Sequence, residues 1–544
     1  MGRIRDARPE DVHRKVRPLS PGDRLRLTTG EYKQPIVLSA LVGSEVDPIT
    51  ICGSGAVLGS GLTFREYRKT GNELAAAQEA GGRFPGLYYL ADNAALVLKN
   101  CQWINIEKLV FEGCWPTAVY LENCQHITLR GLKISGGTFA IGATGIATRH
   151  ILIEDCDWVQ DPSGNGWEIC EALRDGRTIE KELDGKQSEL WRDVDWIQVH
   201  GERPETGLSV SIEDDVRAYD GDFFRAWSIA GYVVIKNNII ADAFNGIHFF
   251  NQVAESIVES CSHNVLIEGN WFIRIRDNAI EPEHFAWNWT IRHNMIVDCY
   301  IPFSMQMARS GYFYVYGNVG WNLRKPGPDE DTHTRGQFFK FPTEHVADGP
   351  HYVFNNSWVL RAPLAKKMRF SNFVHLNNAI DYYEADPSVT APFGKNFNDP
   401  APAGSQKEET LKFEGEHFTR AWQHLGIRFD GDVINHPSFP GILRDAGFSI
   451  GRDAKGQSPN FANRVPGLPR GLMTDSWIDA VALTVLRPDG TVATAIDGTT
   501  HQIGAWQGNN LIRMEDPLFW SYWPGRKTDP SPNSQEPDRA QEIS

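Results

Sequence analysis

Apolar and polar residues alternate in short runs along much of the chain, and the runs recur. Residues 100–113 read NCQWINIEKLVFEG and residues 123–136 read NCQHITLRGLKISG, 23 residues apart. His150-Ile151, in TRHILIEDCDW (148–158), follows His126-Ile127 by 24. Further on, the runs YVVIKNN, NVLIEGN, WTIRHN, YFYVYGN, HYVFNN and FVHLNN end at Asn238, Asn270, Asn294, Asn318, Asn356 and Asn378. Their intervals are 32, 24, 24, 38 and 22 residues. Alternation with period two is the strand signature, because successive side chains leave a strand on opposite faces. Closure on Asn marks a tight corner, since Asn tolerates left-handed backbone and hydrogen-bonds locally.

A period of 22 to 24 residues with three short strands per repeat and little helical patterning predicts coils of a right-handed parallel β-helix, an all-β solenoid. Leucine-rich repeats need a Leu-x-x-Leu-x-Leu pattern that is absent, and propellers need a period near 40 with antiparallel hairpins. The longer intervals read as coils with inserted loops, where solenoids carry function. Stacked corners would place the Asn residues in a ladder. The opening segment LSPGDRLRLTTGEYKQPIVLSALVGSEVDPITICGSG (19–55), with its Pro-Gly-Asp turn, resembles that of the alginate lyase and chondroitinase B group. Together with the Asn-closed coils it resembles the pectin-lyase-like superfamily over about residues 18–385. That resemblance implies the fold and leaves the activity open, because the superfamily holds lyases, hydrolases, epimerases and tailspikes.

The expected organisation is an N-terminal segment (1–17), the β-helix (18–399), a C-terminal α+β appendage (400–527) and a polar tail (528–544). A long insertion, about 157–220, carries a helical pattern over 166–192 and the acidic run Glu213-Asp214-Asp215. After PAPAGS (400–405) come a short helical piece, FPGILRDAGF, and a hairpin signal at Arg487-Pro488-Asp489-Gly490.

Charge narrows the partners. A net charge of -15 argues against nucleic acid and anionic membranes. No apolar run is long enough to span a bilayer, and the N-terminus lacks the apolar core of a signal peptide. Localisation is therefore cytoplasmic, or exported if a leader has been removed. The eight Cys form no Cys-x-x-Cys pair, and their repetitive settings predict small buried residues at coil corners without disulfides. No nucleotide-binding, serine-hydrolase or zincin motif occurs.

Candidate chemistry emerges when the coils are aligned. Asn245–Phe250 falls over Asn278–Glu283, which falls over Ile301–Gln306. With Ile247, Ile280 and Phe303 inward, His248, Glu281 and Ser304 point outward, as do Phe250, Glu283 and Gln306. The preceding coil offers Asp222 and Arg225, and the following one Lys340. Glu281 and Glu283, two apart on one strand, share a face. Paired carboxyl groups suit glycoside hydrolysis, with one as acid and the other as base or nucleophile. The favoured expectation is thus a glycoside hydrolase on a poly- or oligosaccharide, with Glu281, Glu283, Asp222 and His248 catalytic. Arg225, His284, Gln306, Lys340 and Trp287 would bind substrate, Trp287 and Trp289 by stacking on sugar rings. The insertion and the loops after residues 250 and 321 would wall the groove.

The alternatives are a uronate lyase or C5-epimerase, with a His base and Arg225 or Lys340 neutralising the substrate carboxylate, and a non-catalytic glycan binder. No metal or other cofactor is expected for a hydrolase, and Ca²⁺ is possible for a lyase. In the alginate lyase group a Lys and an Arg on neighbouring coils carry catalysis, whereas the matching strand here carries Glu281-Pro282-Glu283. His333 and Arg335 lie in a loop that could reach the groove. The glycosylation patterns at Asn288 and Asn355 fall within the repeat and read as structural.

Overall fold

The computed structural model describes residues 2–63, 65–66, 69, 93–114, 116–200, 216–250, 262–283, 285–305, 310–322, 338–340, 350–360, 365–366, 373–382, 427–434 and 449–450, with short pieces between 459 and 514. Three long sheets run through it. Sheet I has 14 strands, sheet II 12 and sheet III 10, and every neighbouring pair within them is parallel. Each coil visits I, II and III in turn, as in Gln102–Glu107, Val110–Glu112 and Thr117–Glu122. This is the right-handed parallel β-helix expected from the repeat.

The core is built from the inward half of each alternation. Ile104, Ile127, Ile151, Val233, Val265, Trp289 and Phe313 occupy one register column of sheet I, all but inaccessible to solvent. The stack begins before residue 18: Ile4–Ala7 pairs with Arg24–Leu27, and Val12 and Val16 of the helix Val12–Val16 are buried against this first coil.

The corner between sheets I and II holds the Asn ladder. Asn238, Asn270, Asn294, Asn318, Asn356 and Asn378 are fully buried, and the ladder ends on Asp432. Each amide donates to the Oδ1 of the next coil at 2.9–3.1 Å and to a strand carbonyl of an earlier coil. One detail differs from expectation. The left-handed residue is the one before each ladder Asn: Asn237, Gly269, His293, Gly317, Asn355 and Asn377, with φ between 47° and 66°. That residue turns the chain, which leaves the following Asn free to point inward. Earlier coils put Leu109, Leu132 and Cys156 at the ladder position, all buried.

The insertion is helical, but it is broken. Its helices are Gly166–Arg174, Glu180–Leu183, Glu189–Arg192 and Trp196–His200. The first ends where Gly176 takes φ 69° and the amides of Gly176 and Arg177 close back on Leu173 and Ala172, a Schellman stop. Ile169, Cys170 and Ala172 pack on Val159, Ile239, Ala241 and Ile273 of sheet II. A buried polar anchor fixes the insertion. Arg274 donates to Asp242 (2.6 Å) and Asn165 (3.1 Å), and Ser188 donates to Asp242 (3.1 Å). The first of these helices therefore covers sheet II, and residues 201–215 of the insertion lie outside the described residues. At the II–III corner Arg276 donates to the Val194 carbonyl, and the described chain resumes at Val216 ahead of Asp222.

The C-terminal chain folds back on the stack. Trp506 and Ala505 join the sheet II cover, while Ile512 and Met514 pack on Tyr314, Tyr316, Tyr352 and Phe354 of sheet I. The hairpin expected near Arg487 is present as Val485–Leu486 paired with Val492–Ala493. The FPGILRDAGF piece, the tail, Glu213–Asp215 and the loops after 250 and 321 lie outside the described residues. Seven of the eight Cys are described, and all seven are free thiols.

Candidate functional site

Sheet III positions the candidate residues. Register places Arg225 beside His248 and His248 beside Glu281, then pairs Ile280 with Phe303 and Ser304 with Lys340. One outward column thus runs Gly142, Arg225, His248, Glu281, Ser304, Lys340 along five coils beyond the insertion and one before it. The strands are held in order by inward Ile141, Phe224, Ile247, Ile280, Phe303 and Phe339.

At the centre stands His248, 6% exposed. Its Nδ1 faces Asp222 Oδ1 and Glu281 Oε2, both at 3.5 Å, and its Nε2 lies 3.3 Å from Glu283 Oε1. Burial and the Arg225 charge oppose protonation, but Glu281, Asp222 and Glu283 outweigh them, and the ring's pKa is pushed up to about 10. At neutral pH it is an imidazolium. Asp222 is fully buried and paired through Oδ2 with Arg225 Nε. The Arg225 guanidinium sits between the Phe139 and Phe250 rings, 5.4 and 5.6 Å from their centroids. Burial disfavours its charge, yet Asp222 and Asp220 restore it and raise its pKa.

Accessibility separates the roles. Glu281 and Glu283 expose 13% and 23% of their side chains, against 0% for Asp222 and 3% for Arg225. The two glutamates reach solvent, while Asp222 and Arg225 are enclosed beside His248. The expectation that Arg225 binds substrate is therefore corrected, because its side chain is 3% exposed and paired with Asp222. Trp287 is corrected too: it lies on Trp287–Arg292 in sheet I and is fully buried. Trp289 belongs to the core, its ring on Phe249 and Phe313 and its Nε1 donating to the Ser262 carbonyl. Asn288 and Asn355 are fully buried, as a structural role requires. His284, Gln306, His333 and Arg335 lie outside the described residues.

Three residues gain weight from the structure. Phe139 and Phe250 clamp Arg225, and Ser304 places a fully buried hydroxyl, without a hydrogen-bond partner among the described residues, between Glu281 and Lys340. Extending the coil alignment back across the insertion, so that Phe139–Thr144 falls under Asp222–Trp227, is the signal that finds Phe139.

His248, Glu281 and Glu283 each offer one donor atom, all within 4.8 Å of one another, and are the cluster among the described residues able to hold a metal ion. Two carboxylates and one imidazole can bind a divalent cation once the ring gives up its proton.

No protein-family model and no curated protein matches the chain. Several solved structures are similar. A mannuronic-acid-specific polysaccharide family 6 lyase from human gut microbiota is 11% identical, over 82% of this chain and 90% of that one, at TM-score 0.39. A lacto-N-biosidase from Eubacterium ramulus is 11% identical, over 70% and 68%, at TM-score 0.37. A surface adhesin of Streptococcus pneumoniae is 10% identical, over 69% and 88%, at TM-score 0.36. Nothing about activity follows from likenesses this distant.

Proposed function

We propose that the protein is a carbohydrate-active enzyme, a glycoside hydrolase that cleaves a poly- or oligosaccharide on the outer face of sheet III. The observation behind this reading is the Glu281–Glu283 pair, whose facing oxygens lie within 4.8 Å of each other around one imidazole. Retaining glycosidases hold their carboxyl groups about 5–5.5 Å apart and inverting ones about 6.5–9.5 Å; the retaining course is the one proposed. Glu283, 3.3 Å from His248 Nε2, attacks the anomeric carbon. Glu281 takes up a proton as the substrate binds and donates it to the departing glycosidic oxygen. Water then enters, gives a proton back to Glu281 and its hydroxyl to the anomeric carbon, and releases Glu283. His248 acts throughout as a fixed cation, oriented by Asp222 and Arg225.

A second reading, an acidic-sugar lyase, draws support from the same three donors. His248, Glu281 and Glu283 would hold a divalent cation, the imidazole suiting a transition ion better than the all-oxygen shell of Ca²⁺, and the ion would supply charge neutralisation for a substrate carboxylate. A panel of neutral and uronate polysaccharides separates the readings, with reducing ends and absorbance near 235 nm followed with and without a chelator. Reducing ends alone, insensitive to chelator and lost in Glu281→Gln and Glu283→Gln, support hydrolysis. Absorbance that a chelator abolishes overturns it in favour of elimination.

A further inference from the structure

The column that carries the acid pair continues past it into a different chemistry. Ser304 is one coil beyond Glu281 and Lys340 one coil beyond Ser304. Stacked strands are spaced about 4.8 Å apart, so the two residues extend the face by about 10 Å, the span of two sugar rings laid along the helix axis. The Ser304 hydroxyl is fully buried and has no hydrogen-bond partner among the described residues. Lys340 is partly buried and makes no ion pair with another described residue. Neither state is a comfortable resting place, since a buried polar atom needs a partner and a partly desolvated ammonium gains from a counter-charge. Other cations of this face differ: Arg225 is neutralised by Asp222, and Lys99 lies 2.8 Å from Glu122.

We infer that Ser304 and Lys340 form a subsite that takes an anionic substituent, a carboxylate or a sulfate, on the sugar bound next to the one at Glu281. The inference rests on the placement of the reacting centre at Glu281 and Glu283. Electrostatics sets the order of the sugars. At the centre three carboxylates face two cations, so an anionic group there is repelled. One to two coils on, Lys340 reverses the sign. A glycan with a neutral or neutralised unit at the centre and an anionic unit beyond it satisfies both places. Lys340 supplies the counter-charge and Ser304 Oγ donates to a ring or substituent oxygen.

The test reads binding, so it does not depend on which reaction occurs at the centre. Calorimetry with the full-length protein would compare trisaccharides of galacturonate, mannuronate and sulfated galactose with the methyl esters of the two uronates and with desulfated galactotriose. Removing one charge-assisted contact weakens binding about tenfold or more. The expected result is that charged trisaccharides bind more tightly than their neutral partners, the preference falling with salt. Lys340→Gln should remove the preference while neutral binding stays within about twofold, and Ser304→Ala should weaken every charged ligand by several-fold. Whichever charged arm wins, uronate or sulfate, names the source. Equal binding of charged and neutral forms, a preference that survives Lys340→Gln, or no binding by any trisaccharide overturns the subsite. Thermal melting of both variants controls for folding. If binding behaves as expected while Glu281→Gln leaves turnover intact, the subsite stands and the catalytic assignment falls.

Discussion

Asn294→Leu is the substitution that isolates what the Asn ladder does. In the folded chain the Asn294 amide donates to the Ile267 carbonyl and to Asn318 Oδ1, both at 3.0 Å. Its Oδ1 accepts the Asn270 backbone N–H and the Asn270 side-chain amide, also at 3.0 Å. Leucine keeps the volume but makes none of these bonds. Two donors on Asn270 then lose their partner in a corner that is 0% exposed. An orphaned buried polar group costs about 1–3 kcal/mol, so the two together cost about 2–6 kcal/mol. Leucine is tolerated at Leu109 and Leu132, where the neighbouring corners carry no Asn amide. Urea unfolding of parent, Asn294→Leu and Asn294→Ala, followed by tryptophan fluorescence, measures the cost as a shift in midpoint at constant slope. Hydrogen exchange across residues 262–322 shows whether the loss is local, as stacked repeats that touch only their neighbours require. An Asn294→Leu protein within about 0.5 kcal/mol of the parent would refute the reasoning and make the ladder a packing device.

Glu281→Gln and Glu283→Gln should each lower kcat by about 10²–10⁴-fold with little change in the unfolding midpoint, since general acid–base and nucleophilic groups contribute on that scale; steady-state kinetics on the substrate found in the screen checks this. His248 links stability to pH. Its folded pKa of about 10 exceeds the ordinary value of 6.5, so its contribution is whole below about pH 6.5 and drains away as pH rises through 10. In chelated buffer His248→Gln should flatten the fall in stability between those limits, and a slope equal to the parent's would count against an imidazolium at this place. Trp287→Phe should leave sugar binding unchanged and lower the unfolding midpoint, the reverse of a stacking platform; binding calorimetry beside thermal melting decides. Reductant should not move the unfolding midpoint, because the described thiols are free.

The coil stack was legible because a parallel, in-register solenoid turns sequence alignment into spatial contact. Matching Asn245–Phe250 to Asn278–Glu283 by pattern is the same operation as stacking His248 on Glu281. What alternation could not supply is what lies over an outward position. Trp287 and Arg225 both face outward on their strands, yet both are buried. Only the neighbours Phe139 and Phe250, one of them across a long insertion, reveal that Arg225 is clamped. The turning residue of each corner escapes the repeat for a related reason. The left-handed position takes Lys108, Asp155, Asn237, His293 and several Gly, so it carries no single residue type. The ladder Asn does, and it drew attention to itself. A second set of left-handed residues, Trp103, His126, His150 and Tyr232, stacks its rings along sheet I with centroids 3.7–4.8 Å apart, and no periodic apolar signal announced it.

The molecule contains its own comparison for the candidate site. The last outward column of sheet I is also charged, but its signs alternate: Glu107, Arg130, Glu154, Lys236, Glu268, Arg292. Each charge there meets an opposite one, with Lys236–Glu154 at 3.1 Å and Arg292–Glu268 at 3.0 Å, and Arg292 finishes on the Tyr316 hydroxyl. That is how this fold arranges charges when only stability is at stake. On sheet III the same stacking rule brings Asp222, Glu281 and Glu283 around a single imidazole. Crowded, partly buried carboxylates repel one another, and exchanging one for a cation would relieve the repulsion. A polar column that alternates needs no function to account for it. One that sets three carboxyl groups around a single imidazole and leaves two of them reaching solvent does call for one, since perturbed groups of this kind concentrate at functional sites.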